Sequence, residues 1–161
     1  MPADQPERTS AATSRAAVDR PEPLIAAGFK VQIDGLADAA AIEVVLPEGR
    51  ITGARVERTV QYGPLTLRRA LTGSPDWYLW WDGARRSLRG DAGRAIRVTL
   101  IDRSRVEAAA WTFARAQPIA YSLSPLNALA STPVVETLEL AVEGFEAAFD
   151  ALPPRTRDAG R

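Results

Sequence analysis

The strongest constraint on the fold is a segment near the end of the chain, 133–145, in which apolar and polar side chains alternate. Leu138 and Leu140 fall on one side of an extended chain, and Glu139 and Glu143 fall on the other. A period of two is typical of a strand with one buried face. The acidic face of this strand must therefore contact solvent or a basic partner.

The same alternation recurs in shorter segments that turn residues separate. The predicted strands span 29–33, 42–46, 51–62, 65–72, 96–100, 109–114 and 134–142. We interpret 51–62 as one strand with an irregularity near Gly53. The proline-punctuated segment 118–131 is interpreted as a loop, and 144–152 as a short helical turn or an extension of the last strand.

One helix is predicted between the two groups of strands. Ser74, Pro75 and Asp76 are residue types favoured at the start of a helix. Trp77 and Trp80 follow at helical spacing, which predicts that they pack into the core. The sequence therefore predicts a mainly β fold with one helix (α+β), in which antiparallel strands close into a barrel or sandwich that the helix flanks.

The predicted core combines this helix with the apolar faces of the later strands. Its candidate members are Trp77, Trp80, Trp111, Phe113, Leu138 and Leu140.

The length of 161 residues is that of one domain. Residues 1–23 are rich in small, polar and proline residues and are predicted to form a flexible arm. The segment 153–161 has a similar composition and is predicted to form a flexible tail. The folded domain is predicted to span 24–152.

The side chains offer little catalytic chemistry. The chain contains no cysteine and no histidine, which excludes disulfides, thiolate metal sites and imidazole mechanisms. Lys30 is the only lysine. We therefore predict no catalytic residue, no metal site and no cofactor.

The charge balance also limits the classes of partner. The chain has 20 basic and 20 acidic side chains, so its formal net charge is zero. Such a chain has no overall attraction to nucleic acid or to an anionic membrane, and self-association meets little repulsion. No apolar run approaches the roughly 20 residues that span a bilayer, and no signal peptide is evident, which predicts a protein made in the cytoplasm.

Six blocks of sequence occur in an order that resembles a known family. The chain is similar to the phage tail tube proteins of contractile tails and extracellular contractile injection systems over about residues 24–146. The blocks that carry the resemblance are 29–36, 65–72, 77–81, 97–102, 111–118 and 135–144.

This resemblance implies a structural protein rather than an enzyme. The family fold is an antiparallel β-barrel or sandwich with a flanking helix, assembled as hexameric rings that stack into a hollow tube. The implied partners are further copies of the chain, the sheath, and baseplate or hub proteins. Neither a specific nucleic acid nor membrane insertion of the monomer is implied, and the implied location is a phage-tail-like particle, either a virion or an extracellular injection device.

Charged side chains on the resembling strands are candidates for contacts between subunits. We expect a basic pair on one subunit to meet an acidic strand face on its neighbour and to help set register. The candidate assembly residues are Arg68, Arg69, Glu136, Glu139 and Glu143.

Two departures favour a specialised member of the family, such as a tube-initiating ring at the baseplate. Residues 37–64 look compact, without the ring-stacking loop of the family, and Ala70 stands where glycine is common. The alternative hypothesis is a small monomeric β-barrel that binds a ligand through its tryptophan helix. A pocket beside Trp77 or Trp81 would favour that alternative.

Overall fold

The computed structural model describes residues 23–37, 39–87 and 92–149. The predicted arm, apart from its final residue, and the predicted tail lie outside the described residues. The described part contains nine strands and one helix. In chain order they are β1 (Gly28–Ile33), β2 (Ala41–Val45), β3 (Gly49–Thr52), β4 (Thr59–Tyr62), β5 (Leu65–Ala70), α1 (Asp76–Arg86), β6 (Arg94–Ile101), β7 (Glu107–Leu123), β8 (Val135–Val142) and β9 (Glu146–Phe149).

Most strands belong to one antiparallel sheet with the order β1-β6-β7-β8-β5-β2, and β9 is added beside β7. A bridge between Val31 and Ala39 brings the chain just before β2 against β1. The two ends of the strand order therefore approach each other. The prediction of a mainly β, antiparallel fold with a single helix is confirmed.

The core lies on the inner face of this sheet. Trp77 and Trp80 of α1 join it from the helix, and Trp111 packs against it while half-buried. Burying each large apolar side chain contributes about 1.5–3 kcal/mol. The strand residues at its centre are Val31, Ile33, Leu65, Leu67, Ile96, Val98, Phe113, Ala116, Leu138 and Leu140.

Strand β7 runs farther than the sequence pattern predicted. The expected loop at 118–131 was wrong in its first residues, because the strand continues through Pro118 to Leu123. Pairing between β6 and β7 ends at Ala116, so the missing N–H of Pro118 interrupts no hydrogen bond to β6. A bulge between Pro118 and Ala120 then adjusts the pairing with β8.

Strands β8 and β9 continue a single register along β7. Ala116 lies opposite Val142, and Thr112 lies opposite Glu146. Residues 143–145, which separate β8 from β9, therefore interrupt the pairing with β7 without changing its register. Phe145 in this break packs against Phe113 of the core, with ring centroids 5.8 Å apart. Of the two structures predicted for 144–152, the strand extension is the one present over the described residues.

The segment predicted as one strand at 51–62 is a hairpin. β3 and β4 pair with each other in a separate two-stranded sheet. Gly53 has φ 96°, and a Cβ there would collide with the carbonyl oxygen of Glu57, so the turn requires glycine. The single strand expected at 51–62 was therefore wrong, and the segment holds two short strands instead.

The helix begins differently from its sequence pattern. Pro75 occupies the cap position without a side-chain hydrogen bond, so Ser74 is not the cap. Asp76 instead accepts a hydrogen bond from the N–H of Trp77 at 2.9 Å. Within the described ranges, no helix has the length and apolar character needed to cross a membrane.

Candidate assembly surfaces

A buried network of charged side chains connects three strands to the start of α1. The Nε of Arg69 on β5 donates to Glu136 on β8 at 2.5 Å, and its terminal nitrogens donate to Asp76 of α1. The hydroxyl of Tyr121 on β7 donates to the second carboxylate oxygen of Glu136 at 2.9 Å. The guanidinium of Arg69 also lies 4.1 Å from the ring centre of Trp77. The network therefore joins β5, β7 and β8 to the helix.

Burial and pairing act against each other in this network. Burial alone raises the pKa of Asp76, but the hydrogen bond and charge of Arg69 outweigh it and lower that pKa below its ordinary value. Burial similarly opposes the charged form of Arg69, whose pKa is nevertheless raised by hydrogen bonds to Asp76 and Glu136. Burial and the hydrogen bond to Glu136 both raise the pKa of Tyr121, to about 12.

The network corrects two of the predicted assembly residues. Arg69 is 6% exposed and Glu136 is 1% exposed, and both bind partners within the same subunit. They hold the protomer together and are not available to a neighbour. The alternation along the two strands already indicated that these side chains are buried. Glu136 lies on the same strand face as the buried Leu138, and Arg69 lies on the same face as the buried Leu67.

Sequence reasoning missed two members of the network. Asp76 was interpreted only as a first-turn acid, although its side chain pairs with Arg69. Tyr121 was placed in a predicted loop. The bulge after Pro118 interrupts the alternation of side chains along β7, so counting residues along the strand does not assign Tyr121 to the inner face. No local pattern in the sequence indicates that these two side chains meet the others.

The remaining candidate assembly residues lie on the outer face or at the strand break. Arg68 pairs with Glu43 of β2 at 2.5 Å, and these side chains are 43% and 49% exposed. Glu139 lies opposite Thr66 of β5 and is half-buried. Glu143 is exposed in the break between β8 and β9. Of the predicted assembly residues, these three keep positions that a neighbouring subunit can reach.

The tryptophans do not form an open platform for a ligand. Trp77 is completely buried, and the guanidinium of Arg69 covers one face of its ring. Trp81 is half-buried and stacks on Tyr121 at a centroid distance of 6.0 Å, with Tyr78 against both rings. These rings are occupied by contacts within the protomer, which removes the main support for the ligand-binding alternative.

An open cleft of about 410 Å³ lies instead at the base of the β3–β4 hairpin. Its walls include Tyr62, Arg115, Glu143 and Phe145. Tyr62 packs edge-on against Phe145 at 5.7 Å, which fixes the hairpin base to the strand break. The described residues contain no group of three His, Cys, Asp or Glu side chains arranged to hold a metal ion.

Strand β9 presents a free backbone edge. One edge pairs with β7, and within the described part of the chain no strand pairs with the other. All four of its residues, Glu146–Phe149, are exposed. An exposed strand edge is a template for pairing with another chain.

The sequence profile of a family described as "T4-like virus tail tube protein gp19" matches residues 42–146. This range extends from β2 to the start of β9 and includes the helix, the charge network and the hairpin. The chain belongs to this family. As a member of the tail tube family it is a structural protein and not an enzyme.

Solved structures share the fold of this chain. A chain of the anti-feeding prophage baseplate, described as 6-fold symmetrised, superposes with a TM-score of 0.61 at 18% identity, covering 83% of this chain and all of the other. A chain of the PVC extracellular contractile injection system, in its extended sheath-tube complex, gives 0.59 at 18% identity, with 87% and 99% covered.

A third solved structure, Hcp1 from Flavobacterium johnsoniae, gives a TM-score of 0.57 at 16% identity and covers 75% of this chain and 94% of its own. At these identities the likeness concerns the fold. No curated protein matches the chain.

Proposed function

We propose that this chain is a subunit of the inner tube, or of the tube-initiating baseplate ring, of a contractile phage-tail-like injection particle. The observation that carries the proposal is the family match over residues 42–146, which covers the helix, β3 to β8 and all but the first residue of β2. The fold shared with chains of a six-fold symmetrised baseplate and of a sheath-tube complex supports it. The subunits would assemble as hexameric rings that stack.

The free edge of β9 supports ring formation in physical terms. A head-to-tail contact between two different surfaces generates a closed ring when its rotation divides a full turn. Backbone hydrogen bonds to the exposed edge of β9 would supply one side of such a contact. Its residues 146–149 carry a single charge, from Glu146, so little on this edge opposes pairing.

The outward-facing charges would then help to set the register between neighbours. Glu139 and Glu143 supply negative charge beside the strand break, while Arg68 supplies positive charge on the outer face of β5. Charges at the margin of an interface influence association rate and orientation more than affinity. On assembly, the ion pair between Arg68 and Glu43 would weaken, and Arg68 would form an ion pair with an acidic side chain of the next subunit.

The proposed partners are further copies of the chain, the surrounding sheath, and baseplate or hub proteins. Synthesis in the cytoplasm, followed by assembly into a particle, would bring these components together.

Mass measurement in solution followed by negative-stain electron microscopy tests the proposal. We expect six-fold rings or stacked rings from the purified chain. A strict monomer at high concentration, which also fails to join a ring when a cognate baseplate is supplied, would contradict it.

Charge reversal tests the register hypothesis. Glu139→Lys is expected to slow ring formation, and Glu139→Gln, which removes the charge without reversing it, is expected to slow it less. Combining Glu139→Lys with Arg68→Glu is expected to recover part of the loss. Assembly that is indifferent to Glu139→Lys would remove Glu139 from the interface.

A further inference from the structure

Two neighbouring strands of the sheet carry an extra residue at the same level. In β7, Phe113 and Ala116 both belong to the core and are 0% exposed, although they are three residues apart. On the neighbouring strand, Val142 and Phe145 both pack against the core and are also three residues apart. Inward-facing residues of a regular strand are two apart. Because Ala116 lies opposite Val142, the two irregularities lie side by side.

The sheet therefore bends at this level. Strand β6 has no matching extra residue, since two steps from Arg94 to Ile96 oppose three steps of β7, from Ala116 to Phe113. An extra residue on one strand of a pair bends that strand and increases its twist. We call residues 113–116 of β7, together with the facing residues 142–145, the corner.

The corner divides the sheet into two parts that carry different candidate assembly features. The first part contains β1, β6, β9 and the amino half of β7, and it includes the free edge of β9. The second part contains β2, β5, β8 and the carboxyl half of β7, and it carries Arg68 and Glu139. The bend at the corner therefore sets the direction of the β9 edge relative to these outward-facing charges.

Aromatic side chains hold the corner from the core and from the β3–β4 hairpin. The ring of Phe145 lies 5.8 Å from that of Phe113 and 5.7 Å from that of Tyr62, the last residue of β4. A Cβ on Gly144 would lie 3.6–3.7 Å from atoms of the Tyr62 side chain, so the backbone of the corner passes the tyrosine at van der Waals distance. The ring of Tyr62 therefore limits how far the corner can bend towards the hairpin.

The number of subunits in a closed ring depends on small angles. A head-to-tail contact closes into a ring only when its rotation divides a full turn, which is about 60° for six subunits and about 51° for seven. A change of roughly 9° in the direction of one contact surface therefore separates these two rings. The rotation between neighbouring strands alone ranges from about 10° to 35° in sheets. A bent sheet thus needs a specific contact at its bend if it is to give one ring size.

We propose that Tyr62 is a positioning residue for ring assembly, whose contacts with Phe145 and Gly144 fix the angle between the two parts of the sheet and so the number of subunits in the ring. This inference rests on the proposed function, in which the β9 edge is one side of the contact between neighbours. A tyrosine suits this role because its ring is rigid and its side chain has few rotatable bonds. A contribution to stability alone would not change the ring size of a folded chain.

Counting the subunits in assembled rings tests the proposal. Tyr62→Ala removes the ring from the corner. We expect the fraction of rings with the wild-type number of subunits to fall at least about twofold, with other ring sizes or open arcs in their place. Native mass spectrometry and class averages from electron microscopy measure this fraction. Tyr62→Phe keeps the aromatic ring and is expected to keep the wild-type number.

A tyrosine of α1 provides the matched control. Tyr78 is 41% exposed and contacts two aromatic rings outside the corner, those of Trp81 and Tyr121. Tyr78→Ala is expected to lose a similar amount of stability in urea unfolding and to keep the wild-type number of subunits. The same change of ring size in Tyr78→Ala and Tyr62→Ala would attribute it to general loosening of the fold and overturn the positioning role.

Gly144 provides a second test that does not depend on the folding of Tyr62→Ala. Gly144→Ala adds a methyl group at ordinary contact distance from Tyr62 and is expected to leave the ring unchanged. Gly144→Val adds two further carbon atoms beside the tyrosine, which must move to admit them, so we expect a change in ring size. Circular dichroism checks that each variant folds.

The outcomes separate this inference from the proposed function. Folded Tyr62→Ala and Gly144→Val chains whose rings keep the wild-type number of subunits overturn the positioning role and leave the proposed subunit role standing. A wild-type chain that forms no ring, either alone or on a cognate baseplate, overturns both.

Discussion

Two adjacent arginines on β5 have opposite environments. Arg69 points inward, is 6% exposed and binds two carboxylates, whereas Arg68 points outward and binds Glu43 with its side chain 43% exposed. The alternation of a strand separates them, although their side chains are chemically identical. Arg69 is therefore part of the protomer's interior, and Arg68 is part of the surface that a neighbour can meet.

The comparison shows that charge in a sequence does not by itself indicate an interface. Taking charged groups out of water is costly, and the attraction between them offsets this cost only with good geometry and further hydrogen bonds. Glu136 has both, because Arg69 and Tyr121 each donate to a different oxygen of its carboxylate. Outside the core, the side chains of Arg68 and Glu43 remain nearly half exposed, so solvent weakens the attraction between them.

The largest difference between the two arginines is expected on truncation. Arg69→Met leaves Glu136 buried without its cation, and we expect a loss of about 3–5 kcal/mol in the free energy of unfolding. Urea unfolding of the monomer measures it. Arg68→Met is the matched control on the same strand and is expected to cost less than about 1 kcal/mol. Equal losses for the two variants would contradict the assignment of Arg69 to the interior.

Asp76 provides the pH dependence of the inner network. Because its pKa is lowered in the folded state, its charge stabilises the fold above pH about 4, and this contribution is lost as pH falls through the lower folded pKa. Asp76→Asn is expected to cost about 1.5–3 kcal/mol near neutral pH, the range for hydrogen bonds to charged groups.

The stability difference between wild type and Asp76→Asn should therefore shrink as the solution is acidified below pH about 4. Urea unfolding at a series of pH values measures this convergence. A difference that stays constant down to acid pH would show that the carboxylate charge of Asp76 is not what stabilises the start of the helix.

Tyr121 contributes a smaller part of the same network. Tyr121→Phe removes the hydroxyl that donates to Glu136, while Arg69 remains as a donor, so we expect a loss of about 1 kcal/mol. The raised pKa of Tyr121, about 12, means that its contribution is complete below pH about 10 and is lost as pH rises through 12. Alkaline ultraviolet titration should show a phenol ionising near pH 12 that is missing from the variant.

The sequence predicted the regular parts of the fold well for a physical reason. Where one face of a strand is buried, its side chains must alternate, and this identified the strands around Val31, Leu67, Val98 and Leu138. The helix was equally visible from the spacing of its tryptophans. The resemblance to the tail tube family rested on six blocks of sequence in order, and the family match over 42–146 confirms it.

The errors occur where a segment lacks a buried face or departs from regular pairing. The β3–β4 hairpin is largely exposed, so its residues do not alternate in a way that separates two strands from one. Pro118 suggested a loop, and only the end of the β6–β7 pairing at Ala116 of β7 explains why a proline is tolerated there. Asp76 and Tyr121 meet Arg69 and Glu136 through tertiary packing, which local patterns do not encode.

The smallest predicted effect concerns the outer pair. A double-mutant cycle with Arg68→Ala and Glu43→Ala is expected to give a coupling energy of about 0.2–1 kcal/mol in the monomer, reduced further by salt. A coupling energy as large as the loss of about 3–5 kcal/mol expected for Arg69→Met would show that exposure does not determine how the two arginines differ. The same cycle measured on ring assembly sharpens the comparison. If Arg68 turns to an acid of the next subunit, Arg68→Ala will impair assembly more than Glu43→Ala, although both remove the same ion pair from the protomer.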